Sequence, residues 1–97
     1  MVIGYGGAMP NAISAPDADP AVAARLQAFG RRLRELRTAA GRTQTGLAAE
    51  AGIDRSFYWN VEAGKNNISL EKIFALADAL GVDVAELFRG LSSPTGS

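Results

Sequence analysis

The residue types that perform most nucleophilic, acid–base and metal chemistry are missing from this 97-residue chain, which contains no cysteine and no histidine. No thiolate, disulfide or imidazole is available, and a zinc site would have to use carboxylates alone. Ser56 has no evident base beside it, and Gly4-Tyr5-Gly6-Gly7 lacks the strand-to-helix context of a phosphate-binding loop. The sequence therefore argues against an enzyme and predicts neither a metal nor a cofactor.

Hydrogen bonding and charge remain, and Arg55, Ser56 and Asn60 are the residues best suited to use them. Asn60 follows Ser56 by one helical turn, so the two share a face. A guanidinium can bond N7 and O6 of guanine together, and an asparagine amide can pair with adenine. A contact with phosphate alone is the competing interpretation for Arg55 and for Asn60.

Other residues suited to phosphate contacts flank this group. Gln44 stands at the start of a predicted helix, where its amide and the free backbone N–H groups can hold a phosphate. Arg42, Lys65, Asn66 and Asn67 are the further predicted phosphate clamps.

A neutral total charge hides a basic centre. The chain has ten basic and ten acidic residues, but residues 25–65 carry eight basic and four acidic side chains. The flanking residues 1–24 and 66–97 each carry a net charge of −2. A basic centre is the footprint that phosphate binding needs, although a solvated face of arginines accounts for the same surplus.

Apolar spacing and capping residues predict five helices and no strand, which is an all-α domain. The first helix covers residues 21–40 with an apolar stripe at spacings of three and four. The second runs from the cap Thr43 to Gly52, and the third from the cap Asp54 to Ala63. The stripe of the first helix consists of Leu26, Phe29, Leu33, Leu36 and Ala40.

Ser69 caps the fourth predicted helix, which ends at Gly81. Asp83 and Glu86 resemble a capping box that opens the fifth. The apolar stripe of the fourth helix consists of Leu70, Ile73, Leu76, Ala77 and Leu80.

The helical domain is predicted over residues 21–91, between two ends without helical periodicity. Residues 1–20 are rich in glycine, proline and small residues, which favours a disordered or loosely docked arm, and residues 92–97 are predicted to be a flexible tail. No secretory signal or membrane-spanning stretch is evident, so we expect a cytoplasmic protein with no membrane partner.

The second and third predicted helices meet through a turn of about four residues around Gly52. Ala48 is small enough to let these helices lie close together, and Ile53 anchors the turn in the core. This is the helix-turn-helix pattern, whose second helix enters the major groove of DNA by its N-terminal end.

Motifs on both sides of this turn carry a family resemblance. They are residues 29–37 (FGRRLRELR), 43–44 (TQ), 51–53 (AGI), 61–65 (VEAGK) and 77–82 (ADALGV). Over residues 28–89 the chain resembles the lambda-repressor-like, Xre-type helix-turn-helix family. Residues 65–70 (KNNISL) are most similar to the small controller proteins of restriction–modification systems.

The resemblance implies a five-helix fold, a homodimer, and regulation of transcription, as by a repressor, through occupation of a palindromic operator. It also implies that Gln44 contacts DNA and that Arg37 pairs with Glu62. This pair has a mainly structural role in the family, tying the first helix to the recognition helix, while Arg37 also faces the DNA backbone.

Phe57-Tyr58-Trp59 departs from the family, which usually places one aromatic, one aliphatic and one small polar residue there. Tyr58 and Val61 are three residues apart and are predicted to point into the core, so Trp59 points outward. An exposed Trp59 can contact thymine methyl groups or the sugar–phosphate wall, fold over the first helix, or meet a protein partner.

The end of the chain supplies the predicted dimer interface, which consists of Val84, Leu87, Phe88 and Leu91. Some of these residues must also seal the core of the monomer. An isologous contact there would place two recognition helices one DNA turn apart.

Two functional hypotheses follow. The first is a homodimeric, sequence-specific regulator of transcription that binds double-stranded DNA and associates with the nucleoid when bound. The alternative is an antitoxin-like or protein-interaction module that uses the same fold and binds DNA weakly. The aromatic cluster at Phe57 and Trp59, together with the zero net charge, would suit this alternative.

Overall fold

The computed structural model of the protein describes residues 19–91, and within this range the chain forms five α-helices. They are α1 (Pro20–Ala39), α2 (Gln44–Ala51), α3 (Arg55–Glu62), α4 (Leu70–Leu80) and α5 (Val84–Leu87). The described residues contain no strand, and the predicted all-α class is confirmed. Apart from Asp19 and Pro20, which cap and open α1, the predicted arm and tail lie outside the described residues.

Each of these helices begins at a side chain that accepts a backbone N–H of the first turn. The Oγ1 atom of Thr43 lies 2.9 Å from the nitrogen of Gly46, and Oδ2 of Asp54 lies 3.0 Å from the nitrogen of Phe57. Asp19, Ser69 and Asp83 cap α1, α4 and α5 in the same way. The caps satisfy donors that have no partner within the helix, which fixes where each helix starts.

The predicted capping box at α5 is only half formed. Asp83 accepts from the backbone nitrogen of Ala85 at 3.3 Å, as a cap should. The carboxylate of Glu86 instead accepts hydrogen bonds from Arg32 at 3.0 Å and from Arg89 at 2.6 Å. Glu86 therefore ties α5 to α1, a tertiary role that local spacing does not reveal.

The core lies where the five helices converge. Tyr58 and Val61 are buried and Trp59 is exposed, as predicted for α3. Leu70 was predicted on the buried stripe of α4 but is 64% exposed, because it is the first residue of the helix and the buried face begins at Ile73. The buried apolar residues are Phe29, Leu33, Leu47, Ala48, Ile53, Tyr58, Val61, Ile73, Leu76, Ala77 and Leu87.

The backbone of α1 lies close to the end of α3, and two glycines permit this approach. A Cβ atom at Gly30 would lie 2.7 Å from the carbonyl oxygen of Val61 and closer still to that of Glu62. Gly64 has a φ of 78°, and a Cβ atom there would lie 2.7 Å from Cα of Gln27. Both neighbours are backbone, so α1 and α3 could keep this spacing only if both positions lack a side chain.

We expect Gly30→Ala to destabilise the protein by about 1–3 kcal/mol, as overpacking does, measured as the free energy of unfolding in urea. Helix propensity alone would predict the opposite sign, a gain of about 1 kcal/mol. The control variant Ala24→Gly changes an exposed position of the same helix, so its change in the free energy of unfolding measures helix propensity without packing. A Gly30→Ala protein more stable than the wild type would contradict the close approach.

Candidate nucleic-acid interface

The turn between α2 and α3 determines the orientation of α3 relative to α2. Gly52 adopts the left-handed conformation with a φ of 71°, which glycine reaches without steric cost. The nitrogen of Ile53 then donates to the carbonyl of Ala48 at 2.8 Å, and the Ile53 side chain is buried. Leu47 and Ala48 bury the facing side of α2, so the angle between the two helices is fixed by packing.

The outer face of α3 carries the residues predicted to read DNA. Arg55 and Ser56 are exposed in its first turn, and Trp59 is 60% exposed. Asn60 is half-buried beside them. A surface concavity of about 380 Å³ is lined by Ser56, Trp59, Asn60, Ala63 and Lys65. The structure therefore brings most of the predicted reading residues together on one face.

The inner end of α3 is held by a buried carboxylate, that of Glu62. The Nε atom of Arg37 lies 2.6 Å from Oε2 of Glu62, and Nη2 of Arg37 lies 3.3 Å from Oε1. Nε2 of Gln44 donates to Oε1 at 2.9 Å, and the hydroxyl of Tyr58 donates to Oε2. The side chains of Arg37 and Glu62 are only 11% and 4% exposed, so this pair is shielded from water.

Protonation of these groups follows from their contacts. Burial alone would raise the pKa of Glu62, but the hydrogen bonds from Arg37, Tyr58 and Gln44 outweigh it and hold the pKa below its ordinary value of 4.5. Burial and the bond to Glu62 raise the pKa of Tyr58 well above its ordinary value of 10.0. At neutral pH the site is therefore an ion pair with a neutral phenol.

Two predicted phosphate ligands are engaged within the protein. Nη1 of Arg42 donates to the carbonyl of Ala79 at 2.9 Å, and its Nη2 forms a salt bridge with Glu50. Arg42 thus joins α2 to α4, and its predicted contact with phosphate stays a prediction. Gln44 is oriented by its bond to Glu62, and its amide keeps one further N–H for another acceptor.

The three predicted contact residues in the loop after α3 lie in different surroundings. Lys65 is exposed and lines the concavity on α3. Asn66 is half-buried, and Asn67 lines a separate apolar groove of about 370 Å³ with Phe88 and other residues. Asn67 is therefore not brought together with the reading residues of α3.

The predicted dimer residues also divide. Leu87 is completely buried, so it seals the core of the monomer. The prediction that Leu87 lies in the dimer interface is therefore wrong. Phe88 is 44% exposed, and its ring packs against Phe29 with centroids 5.6 Å apart. Val84 and Leu91 are half-buried, and Leu91 lines the apolar groove with Phe88.

Arg34 was not predicted to contact a ligand, yet it lies beside the same face. It lines a concavity of about 150 Å³ together with Gln44, Trp59, Glu62 and Ala63. Its position three residues before Arg37 was the available signal, because residues three apart lie on one side of a helix.

Comparison with known proteins agrees with this geometry. A family model described as a helix-turn-helix domain matches residues 28–88. The chain belongs to the helix-turn-helix family. It is a DNA-binding regulator of transcription rather than an enzyme.

The relatives of this regulator include controller proteins. It is 36% identical to the control protein C.MunI of Mycoplasma sp, a match that covers 62% of this chain and 82% of the relative. The crystal structure of the restriction–modification controller protein C.AhdI from Aeromonas hydrophila is 52% identical, with a TM-score of 0.66. That match covers 67% of this chain and 98% of C.AhdI.

A more distant match is the regulator ClgR of the clp gene from Corynebacterium glutamicum. It is 28% identical with a TM-score of 0.64, over 66% of this chain and 68% of ClgR. Within residues 19–91 no helix is long and apolar enough to cross a membrane. The same residues hold no cluster of three or more acidic side chains placed to bind a metal ion.

The depressed pKa of Glu62 predicts that the regulator loses stability in acid. The folded state releases the Glu62 proton more readily than the unfolded state, so the unfolded state binds more protons as the pH falls through 4.5 and below. We expect the free energy of unfolding, measured in urea from neutral pH downward, to decline across this range.

Two variants isolate the contribution of Glu62. Tyr58→Phe removes one hydrogen bond to the carboxylate, so the acid-dependent loss should be smaller than in the wild type. Glu62→Gln removes the titration and leaves Arg37 unpaired, which should cost about 3–5 kcal/mol at neutral pH. Identical acid profiles for the wild type and Tyr58→Phe would contradict the assigned network.

Proposed function

We propose that this regulator binds a palindromic operator as a homodimer, with α3 reading one half-site in each protomer. The observation that carries the proposal is the two-sided character of α3. Its inner side buries Tyr58 and Val61, while Arg55 and Ser56 project from its first turn into solvent. That turn is the part of a recognition helix that reaches base edges.

In this proposal Arg55 reads guanine through two parallel hydrogen bonds, and Ser56 and Asn60 contact neighbouring bases or phosphates. Lys65 and Asn66 contact the DNA backbone at the end of the helix. Trp59 lies against thymine methyl groups or sugar. The Arg37–Glu62 pair holds α3 in place and is not itself the source of specificity.

The proposed dimer interface is the exposed part of the chain end together with the apolar groove. It comprises Phe88, Leu91 and Val84, and the groove adds Val22 and Leu26 from α1. Phe88 and Val22 are 44% and 41% exposed and line the same groove, so they contribute to one contiguous apolar patch, and such patches mark interaction sites. A two-fold contact at this site would pair two recognition helices on one side of DNA.

The similarity to C.AhdI and C.MunI suggests the biological setting. We propose that the operator lies upstream of restriction–modification genes and that the regulator acts in the cytoplasm on nucleoid DNA. Footprinting on the DNA upstream of its own gene should reveal a protected site with two-fold symmetry. Stoichiometric co-purification with another protein, with no protected site, would instead favour the interaction-module alternative.

Arg55→Ala should lower affinity for the operator by about 1–3 kcal/mol and relax preference at one base pair of each half-site. Titrations with operator variants measure this loss. Lys65→Ala is the matched control, because loss of a phosphate contact should weaken binding equally for all sequences. Unchanged site preference in Arg55→Ala would show that another residue reads the operator.

Phe88→Glu should weaken dimerisation roughly 30-fold or more, the effect of losing at least about 2 kcal/mol at the centre of an interface. Sedimentation equilibrium gives the monomer–dimer constant, and circular dichroism checks the fold. Ala85→Glu places the same charge at an exposed position of α5 outside the groove and should leave dimerisation unchanged. Equal effects of the two variants would place the interface elsewhere.

A further inference from the structure

The arginines of the described chain fall into two groups according to whether an acidic side chain binds them. Salt bridges link Arg32 to Glu35 and Glu86, Arg37 to Glu62, Arg42 to Glu50, and Arg89 to Glu86. Within residues 19–91, Arg25, Arg31, Arg34 and Arg55 form no salt bridge and are exposed. The guanidinium groups of this second group have no acidic partner within residues 19–91 and are open to solvent.

These four arginines lie at different places on the surface. Arg25 lines the apolar groove, and Arg31 lines a concavity beside Arg89 and Leu91, next to the end of the chain. Arg55 is the proposed reading residue. Arg34 is the remaining member, and it lines the concavity that contains Gln44 and Trp59.

The Arg34 concavity adjoins the proposed reading face. Trp59 and Ala63 line both this concavity and the larger one that contains Ser56, Asn60 and Lys65. The indole therefore stands between Arg34 on one side and Lys65 on the other. A DNA strand that contacts Trp59 would bring its phosphates within reach of cations on both sides.

The charges around Arg34 favour an anion. Glu62 is the acidic residue that lines its concavity, but the Glu62 carboxylate is already bound by Arg37, Tyr58 and Gln44. The negative charge of Glu62 is thus largely compensated within the protein. The positive charge of the Arg34 guanidinium has no acidic partner within residues 19–91. Gln44 adds one amide N–H that its bond to Glu62 leaves free.

We propose that Arg34, which the sequence analysis did not single out, binds a phosphodiester of the operator backbone. Its planar guanidinium supplies several donors to one phosphate, with Gln44 beside it and Trp59 against the adjoining sugar. The contact sets the register of α3 on the duplex and carries no base specificity. This inference rests on the proposed DNA-facing side of α3.

The test is the salt dependence of DNA binding by the full-length protein and by Arg34→Gln, measured by fluorescence anisotropy. Each phosphate contact contributes about 0.9 to the slope of log affinity against log salt. The advantage of the wild type over Arg34→Gln should therefore shrink about 3.5-fold between about 50 and about 200 mM salt. The loss should be equal on the operator and on a duplex of unrelated sequence, and Arg34→Lys should restore much of it.

Arg31→Gln is the matched control, because it removes the same charge from an exposed position of α1 outside this concavity. Its slope should equal that of the wild type. Equal slopes for the wild type, Arg34→Gln and Arg31→Gln would overturn the inference, as would a change of site preference in Arg34→Gln. A wild type that binds both duplexes equally would refute the proposed operator recognition, yet the slopes on either duplex would still decide whether Arg34 binds phosphate.

Discussion

The Glu62 carboxylate accepts hydrogen bonds from side chains of three helices, and the position of α3 depends on them. Arg37 reaches it from α1, Gln44 from α2, and Tyr58 from one turn earlier in α3. A carboxylate in this shielded position would be costly if any of its partners were missing. Because all are present, the carboxylate links the three helices through hydrogen bonds.

Close packing makes this arrangement possible. Gly30 lets α1 approach the carbonyl groups of Val61 and Glu62. Arg37 lies about two turns further along the same face of α1, where it reaches the Glu62 carboxylate. A rigid α3 loses little freedom when it meets DNA, so less of the binding energy is spent on ordering the protein. The same constraint leaves Arg55 and Ser56 in a fixed position at the exposed end of the helix.

Local features of the sequence were sufficient to predict the helices, because each helix is delimited by interactions among near neighbours. Thr43, Asp54 and Ser69 cap residues no more than three positions away. Contacts between residues that are distant in sequence could not be predicted in this way. Arg42 donates to the carbonyl of Ala79, which is 37 residues away, and no local pattern indicates this bond. Likewise, spacing alone could not separate buried Leu87 from exposed Phe88.

The zero net charge of the chain shows why composition is a poor guide to a DNA-binding surface. Glu50, Glu62 and Glu86 neutralise arginines that hold helices together, and these pairs contribute little to the field outside the protein. These acidic residues thus neutralise the arginines that connect the helices. The cations that remain near α3 and form no salt bridge within residues 19–91 are Arg34, Arg55, Lys65 and Lys72, the last of which lies over the ring of Phe57. The attraction for DNA is therefore governed by which arginines lack an acidic partner, and not by their number.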